Sequence, residues 1–120
     1  MNVVDSSAWL EYLADSDRAH LFAEPIERTP ALIVPVLIIY ELFKKVLRER
    51  GEQPALEVLG LLSQGTVVDV DASLATAAAR LPLPLADSMI YATARRYNAV
   101  LWTQDEHFEG LPGVKFFARR

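Results

Sequence analysis

The stretch Asn2-Val3-Val4-Asp5-Ser6-Ser7-Ala8-Trp9-Leu10-Glu11-Tyr12-Leu13 decides how the rest of the chain is read. Asn2 to Val4 has the β-branched character of a short buried strand, and Ser7 to Ala14 carries apolar residues at helical spacing. Strand, acid, helix then recurs downstream. Helices are expected at Arg18 to Glu27, Pro35 to Arg50 with Gly51 as the stop, Pro54 to Leu62, Ala72 to Leu81 and Pro84 to Tyr97. Strands are expected at Ala31 to Val34, Thr66 to Val70, Val100 to Trp102, and Lys115 to Phe117 at an edge. Strands alternating with helices imply an α/β domain with a mostly parallel central sheet. Ligands in such sheets bind beyond the carboxyl ends of the strands, where the strand order reverses. The residues that directly follow each strand are therefore the first place to seek chemistry.

The 120 residues suffice for one domain with its own core. Apolar residues make up 52% and charged residues 23%, which excludes a disordered chain. Without cysteine there is neither a disulfide framework nor a thiolate metal site, and a cytoplasmic setting is expected. The N-terminus lacks the pattern of a secretory signal. The most apolar run, Ala31 to Phe43, contains Pro35 and Glu41 and falls short of the ~20 apolar residues that span a bilayer, so no membrane association is expected. The net charge of −4 contrasts with the basic balance usual for nucleic-acid binders. Basic residues nevertheless cluster at Lys44, Lys45, Arg48 and Arg50. Walker loops, dinucleotide glycine fingerprints, paired-histidine zinc motifs and serine-nucleophile elbows are all absent.

Acids stand at informative places. Asp5 follows the first strand and Asp105 follows Val100-Leu101-Trp102, so both belong at strand ends; each could instead cap the next helix. Glu41 sits where the greasy first half of its helix turns basic, and it needs a partner or a metal there. An ion pair with Lys44 or Lys45 is the competing reading. Asp87 has Ile90, Tyr91 and Ala94 three, four and seven residues on, at the margin of the inward stripe, although it too lies near a helix start. Carboxylates from separate elements suit Mg²⁺ or Mn²⁺, which choose oxygen ligands. Brought together without metal they would repel, and at least one pKa should rise.

The segments VVDSSAWLEYL, PVLIIYELFKK, LPLADSMIYATA and LWTQDEHFEGLPGV, in this order and covering nearly the whole chain, together resemble the PIN-domain family, and within it the VapC-type toxins of toxin–antitoxin pairs. The resemblance implies a PIN-like three-layer fold and an acidic quartet of Asp5, Glu41, Asp87 and Asp105, with Ser7 and Thr103 as supporting hydroxyls. It further implies a metal-dependent ribonuclease, a homodimer and a VapB-like antitoxin. Asp5, Asp87 and Asp105 would hold the ion, while Glu41 would hold a second ion or orient water; two ions would lie ~3.5–4 Å apart. Lys44, Lys45 and Arg48 share a helix side with Glu41 and would steer the RNA backbone, unless they form only a solvated face. Leu10, Tyr12, Leu13, Phe22 and Ile26 would serve the antitoxin interface or an ordinary core. The chain departs from many relatives at His107, two residues after the fourth acid, where they carry a further acid. There it is a weak ligand, a phosphate contact or a surface histidine.

Two other functions compete. In a phosphoacceptor receiver-like signalling domain, Asp69 or Asp71 would take the phosphoryl group with Thr103 and Lys115 nearby, but paired acids after the first strand are missing. A PIN-like module that only binds is the other, and the intact quartet gives no sign of decay.

Overall fold

The computed structural model describes residues 1–119. Five strands form one sheet in the order β3-β2-β1-β4-β5, and every pairing is parallel. In chain order these are β1 (Asn2–Val4), β2 (Leu32–Pro35), β3 (Thr66–Val68), β4 (Val100–Thr103) and β5 (Val114–Phe116). The helices are α1 (Ser6–Leu13), α2 (Ala23–Glu27), α3 (Val36–Arg50), α4 (Glu52–Leu62), α5 (Ala72–Ala79) and α6 (Leu85–Arg96). The expected mostly parallel sheet flanked by helices is thus present.

The strand order matters more than the strand count. From β1 the chain moves through β2 to β3, then returns across the sheet to β4 on the other side of β1. Right-handed crossovers in opposite directions put helices on both faces, giving three layers. The reversal falls between β1 and β4, whose carboxyl ends lead into Asp5 and Asp105. Their register is fixed by the pairs Val3↔Leu101 and Val4↔Trp102. Trp102 Nε1 adds a side-chain bond to Asn2 Oδ1 at 2.8 Å. The core fills both sides of these central strands, with Val3, Ile38, Leu42, Ile90, Leu101 and Phe108 all fully buried.

Several local expectations shift. The helix expected over Arg18 to Glu27 is two pieces, a 3₁₀ turn at Ala19–Leu21 and the short α2. Pro25 has no N–H for the Leu21 carbonyl and its ring would clash there, so a continuous helix is impossible. Pro35 is not the first helical residue; it ends β2 in extended conformation, φ −61° and ψ 139°, and α3 starts at Val36. Gly51 does stop α3, at φ 94°, a conformation costly for any residue with a Cβ. The edge strand ends one residue early, at Phe116. Phe22 and Ile26 are core residues, with 0% and 3% exposure, and present no interface. No helix among the described residues is long and apolar enough to cross a membrane.

Candidate metal centre

Asp5 stands where β1 passes into α1, and only 3% of it reaches solvent. It occupies the N-cap position of α1, yet its side chain makes no capping bond. Instead Oδ2 accepts the hydroxyl of Thr103 at 2.9 Å and that of Ser7 at 3.1 Å. The parallel pairing of β1 with β4 brings Thr103 alongside, although the two residues are 98 apart in sequence. The same Thr103 hydroxyl accepts the Asp105 N–H at 2.9 Å, so one side chain braces two acids. Burial raises the Asp5 carboxyl from 3.8 to about 6, against the pull of the Thr103 and Ser7 hydroxyls; the nearby Glu41 charge adds to the rise.

Glu41, on α3, is half-buried and accepts the Ser6 hydroxyl at 2.9 Å. Neither Lys44 nor Lys45 pairs with it. Lys44 lies against Tyr40, and Lys45 bonds Glu49 at 2.7 Å. Burial pushes the Glu41 pKa up, and the charges of Asp87 and Asp105 push the same way. Asp87 enters from the first turn of α6 without capping it, and its pKa is raised first by burial, then by Asp105, against the His107 contact. Asp105 does cap, accepting the His107 N–H at 2.9 Å at the start of a 3₁₀ turn, Glu106–Phe108. The charge of Glu41 thus acts on Asp5, those of Asp87 and Asp105 act on Glu41, and that of Asp105 acts on Asp87. The expected rise in pKa is present on three acids, but burial rather than mutual repulsion is its larger cause.

Ser6 and Gln104 gain a place that sequence reading did not give them, and His107 gains a direction. Ser6 is the partner of Glu41. Gln104, 3% exposed, donates to Glu11 at 2.7 Å and accepts from Arg18 at 2.8 Å. Arg18 in turn holds the carbonyls of Phe117 and Ala118, so this network clamps the turn after β4. His107 turns inward: its Nδ1 lies 2.8 Å from Asp87 Oδ2 and 3.4 Å from Asp105 Oδ1. Donor atoms of Asp87, Asp105 and His107 all lie within 4.8 Å of one another, close enough to share one ion. Two carboxylates and one imidazole suit a divalent cation, whereas Asp5 and Glu41 are not among these mutually close donors. Lys44 and Arg48 remain exposed further along α3. Asp71, the alternative phosphoacceptor, instead caps α5 beyond the edge strand β3 and is gripped by Arg96 at 3.1 Å.

A family model described as PIN domain matches residues 3–114. No curated protein matches the chain. Among solved structures, a toxin–antitoxin complex from Klebsiella pneumoniae superposes with a TM-score of 0.81 at 21% identity, covering 99% of this chain and 100% of the other. VapC20 of Mycobacterium tuberculosis, a sarcin–ricin loop cleaving toxin, gives 0.74 at 20% identity, with 95% and 97% covered. A DNA-bound VapBC from Salmonella typhimurium gives 0.71 at 19% identity, with 98% of each chain covered. At these identities the likeness establishes the fold.

Proposed function

We propose that this chain, which belongs to the PIN-domain family, is a VapC-like endoribonuclease that hydrolyses RNA phosphodiester bonds with Mg²⁺ or Mn²⁺. The observation that carries the reading is the approach of Asp87, Asp105 and His107, whose donor atoms lie within 4.8 Å of one another, near the reversal point of the sheet where Asp5 also stands. In this reading residues 1–120 act as one catalytic domain. Asp5, Asp87 and Asp105 would hold the ion, with the Asp5 carboxylate braced at Oδ2 by the Thr103 and Ser7 hydroxyls. When bound, the ion supplies Lewis-acid activation of water and neutralises charge on the phosphoryl group. Glu41, held by Ser6, orients the attacking water and accepts its proton; its raised pKa suits that role. The water oxygen bonds to phosphorus as the P–O bond to the ribose oxygen breaks, and the leaving alkoxide takes a proton from solvent. Lys44, Lys45 and Arg48 guide the RNA backbone toward the acids.

Partners follow from the same likeness. Solved relatives are toxin–antitoxin complexes, and we assign this chain a VapB-like antitoxin, a homodimeric state and a cytoplasmic place of action. An arginine of the antitoxin would meet the acids bidentately, replacing the ion. The test is cleavage of total RNA by the purified protein with Mg²⁺, with Mn²⁺ and with chelator, beside Asp87→Asn. The parent should cut only with metal, and the variant should be inactive yet folded. Equal cleavage by parent and variant would sink the assignment.

A further inference from the structure

The turn that follows β4 is docked on α6 by two neighbouring contacts. Phe108, fully buried, stacks on Tyr91 with ring centroids 6.4 Å apart, and Tyr91 itself donates to the Pro112 carbonyl at 2.7 Å. Asp87 lies one helical turn before Tyr91 on the same side of α6. Docking Phe108 on Tyr91 therefore delivers its neighbour, His107, to Asp87. The backbone N–H of His107, bound to Asp105 Oδ1 at 2.9 Å, fixes the main chain from which the ring projects. Nδ1 points into the space between two carboxylates. Carrying a proton, that nitrogen stands where a cation would stand. Without the proton, it offers a lone pair to the same place.

We propose that His107 Nδ1 is a ligand of the metal centre together with Asp87 and Asp105, and that this nitrogen makes the site prefer first-row transition ions over Mg²⁺. The inference rests on the metal-dependent reading above. Mg²⁺ takes oxygen ligands almost exclusively, whereas imidazole suits transition ions, so a mixed oxygen–nitrogen set separates the two. An acid at position 107 would give a harder site, indifferent to that distinction. Binding releases any proton on Nδ1, which leaves the ring neutral with its remaining hydrogen on Nε2.

The experiment titrates the full chain with Mn²⁺ and with Mg²⁺ by calorimetry at pH 8, for the parent and His107→Ala. Electron spin echo spectra of the Mn²⁺ complexes accompany the titrations. The parent should bind Mn²⁺ at least about tenfold more tightly than Mg²⁺ and show nitrogen modulation from a coordinated imidazole. In His107→Ala the modulation should vanish and Mn²⁺ affinity fall about tenfold or more, with Mg²⁺ affinity nearly unchanged. Equal loss for both ions, or a parent spectrum without nitrogen modulation, overturns the ligand assignment while leaving an all-oxygen metal site standing. If neither ion binds the folded parent, the metal-dependent reading fails with it. Circular dichroism of the variant separates lost coordination from lost fold.

Discussion

The two halves of the acidic site are built on opposite terms. Asp5 is 3% exposed and wrapped by the Thr103 and Ser7 hydroxyls, and Glu41 beside it is half-buried under Ser6. On the other side, the side chains of Asp87, Asp105 and His107 are 14%, 31% and 57% exposed. The inner half is preorganised by short-range donors and carries a large desolvation cost in the absence of a cation. The outer half is wetter, so its charges cost less and can exchange partners: a proton, an ion or a guanidinium. Holding one carboxylate rigid while leaving its neighbours adaptable lets a site choose its geometry without closing its mouth.

If that contrast is right, Asp5→Asn has the largest effect, and in two directions. RNA cleavage should fall at least about a hundredfold, because a neutral amide can neither hold the ion nor balance its charge. Stability without metal should rise. The native carboxyl titrates at about 6 against 3.8 for the free group, so the native state binds the proton more tightly than the unfolded chain does. Between those values the parent loses stability as pH rises, and above about 6 it bears the full penalty. The amide bears none. At pH 7.5 the variant should be more stable by roughly 1–3 kcal/mol, and the gap should close by about pH 4. Thermal melts across that range, with chelator, decide it; a variant less stable at pH 7.5 would mean that the buried carboxylate is not under strain.

Thr103→Val removes the brace while keeping the shape. Asp5 loses its shortest donor and Asp105 N–H loses its acceptor. Metal affinity should drop about 10- to 100-fold, as with other groups that orient a ligand. The acid limb of the pH–rate profile should move to higher pH, since the ionised Asp5 is now harder to form. An unmoved limb would show that Thr103 merely packs. Ser6→Ala is milder. Glu41 is only half-buried, and one hydrogen bond is worth roughly 1 kcal/mol, so cleavage should fall about fivefold. A loss as large as that of Asp5→Asn would mean that Ser6 does more for Glu41 than one hydrogen bond to a half-buried carboxylate can.

What was legible in the sequence followed local rules. Asp5 and Asp105 each end a β-branched or aromatic run, so the sheet rule puts them at strand ends; Glu41 and Asp87 each sit on the margin of an apolar helix stripe, and only the family resemblance joined them to the other two. The doubly wound sheet was likewise legible, because alternation of short strands and helices admits few other arrangements. What could not be read depends on contacts between distant residues. Ser6 meets Glu41 across 35 residues and Gln104 meets Glu11 across 93, and neither has a periodic signature. The sequence left His107 open between ligand, phosphate contact and surface histidine, because its direction is set by Phe108 docking on Tyr91, a tertiary event. The broken helix before β2 has a local cause: Pro25 lacks the N–H that a continuous helix over Arg18 to Glu27 would require of it.

The smallest effects belong outside both halves, on the basic stretch of α3. Lys44 and Arg48 stand three and seven residues beyond Glu41, so the helix turns them to its side, and both are exposed. Lys45 is already engaged with Glu49 at 2.7 Å. Steering by such charges acts through phosphates and is screened by salt, so it should appear in substrate affinity rather than in the chemical step. Lys44→Ala and Arg48→Ala should each weaken RNA binding a few-fold at low salt and lower the slope of log affinity against log salt by about 0.7. Lys45→Ala should do less, because Glu49 has already neutralised most of its field. The kcat of all three should match the parent. A fall in kcat at saturating RNA would instead place this stretch within the chemical site, extending the rigid half one turn along α3 and blurring the division between a fixed interior and an adaptable rim.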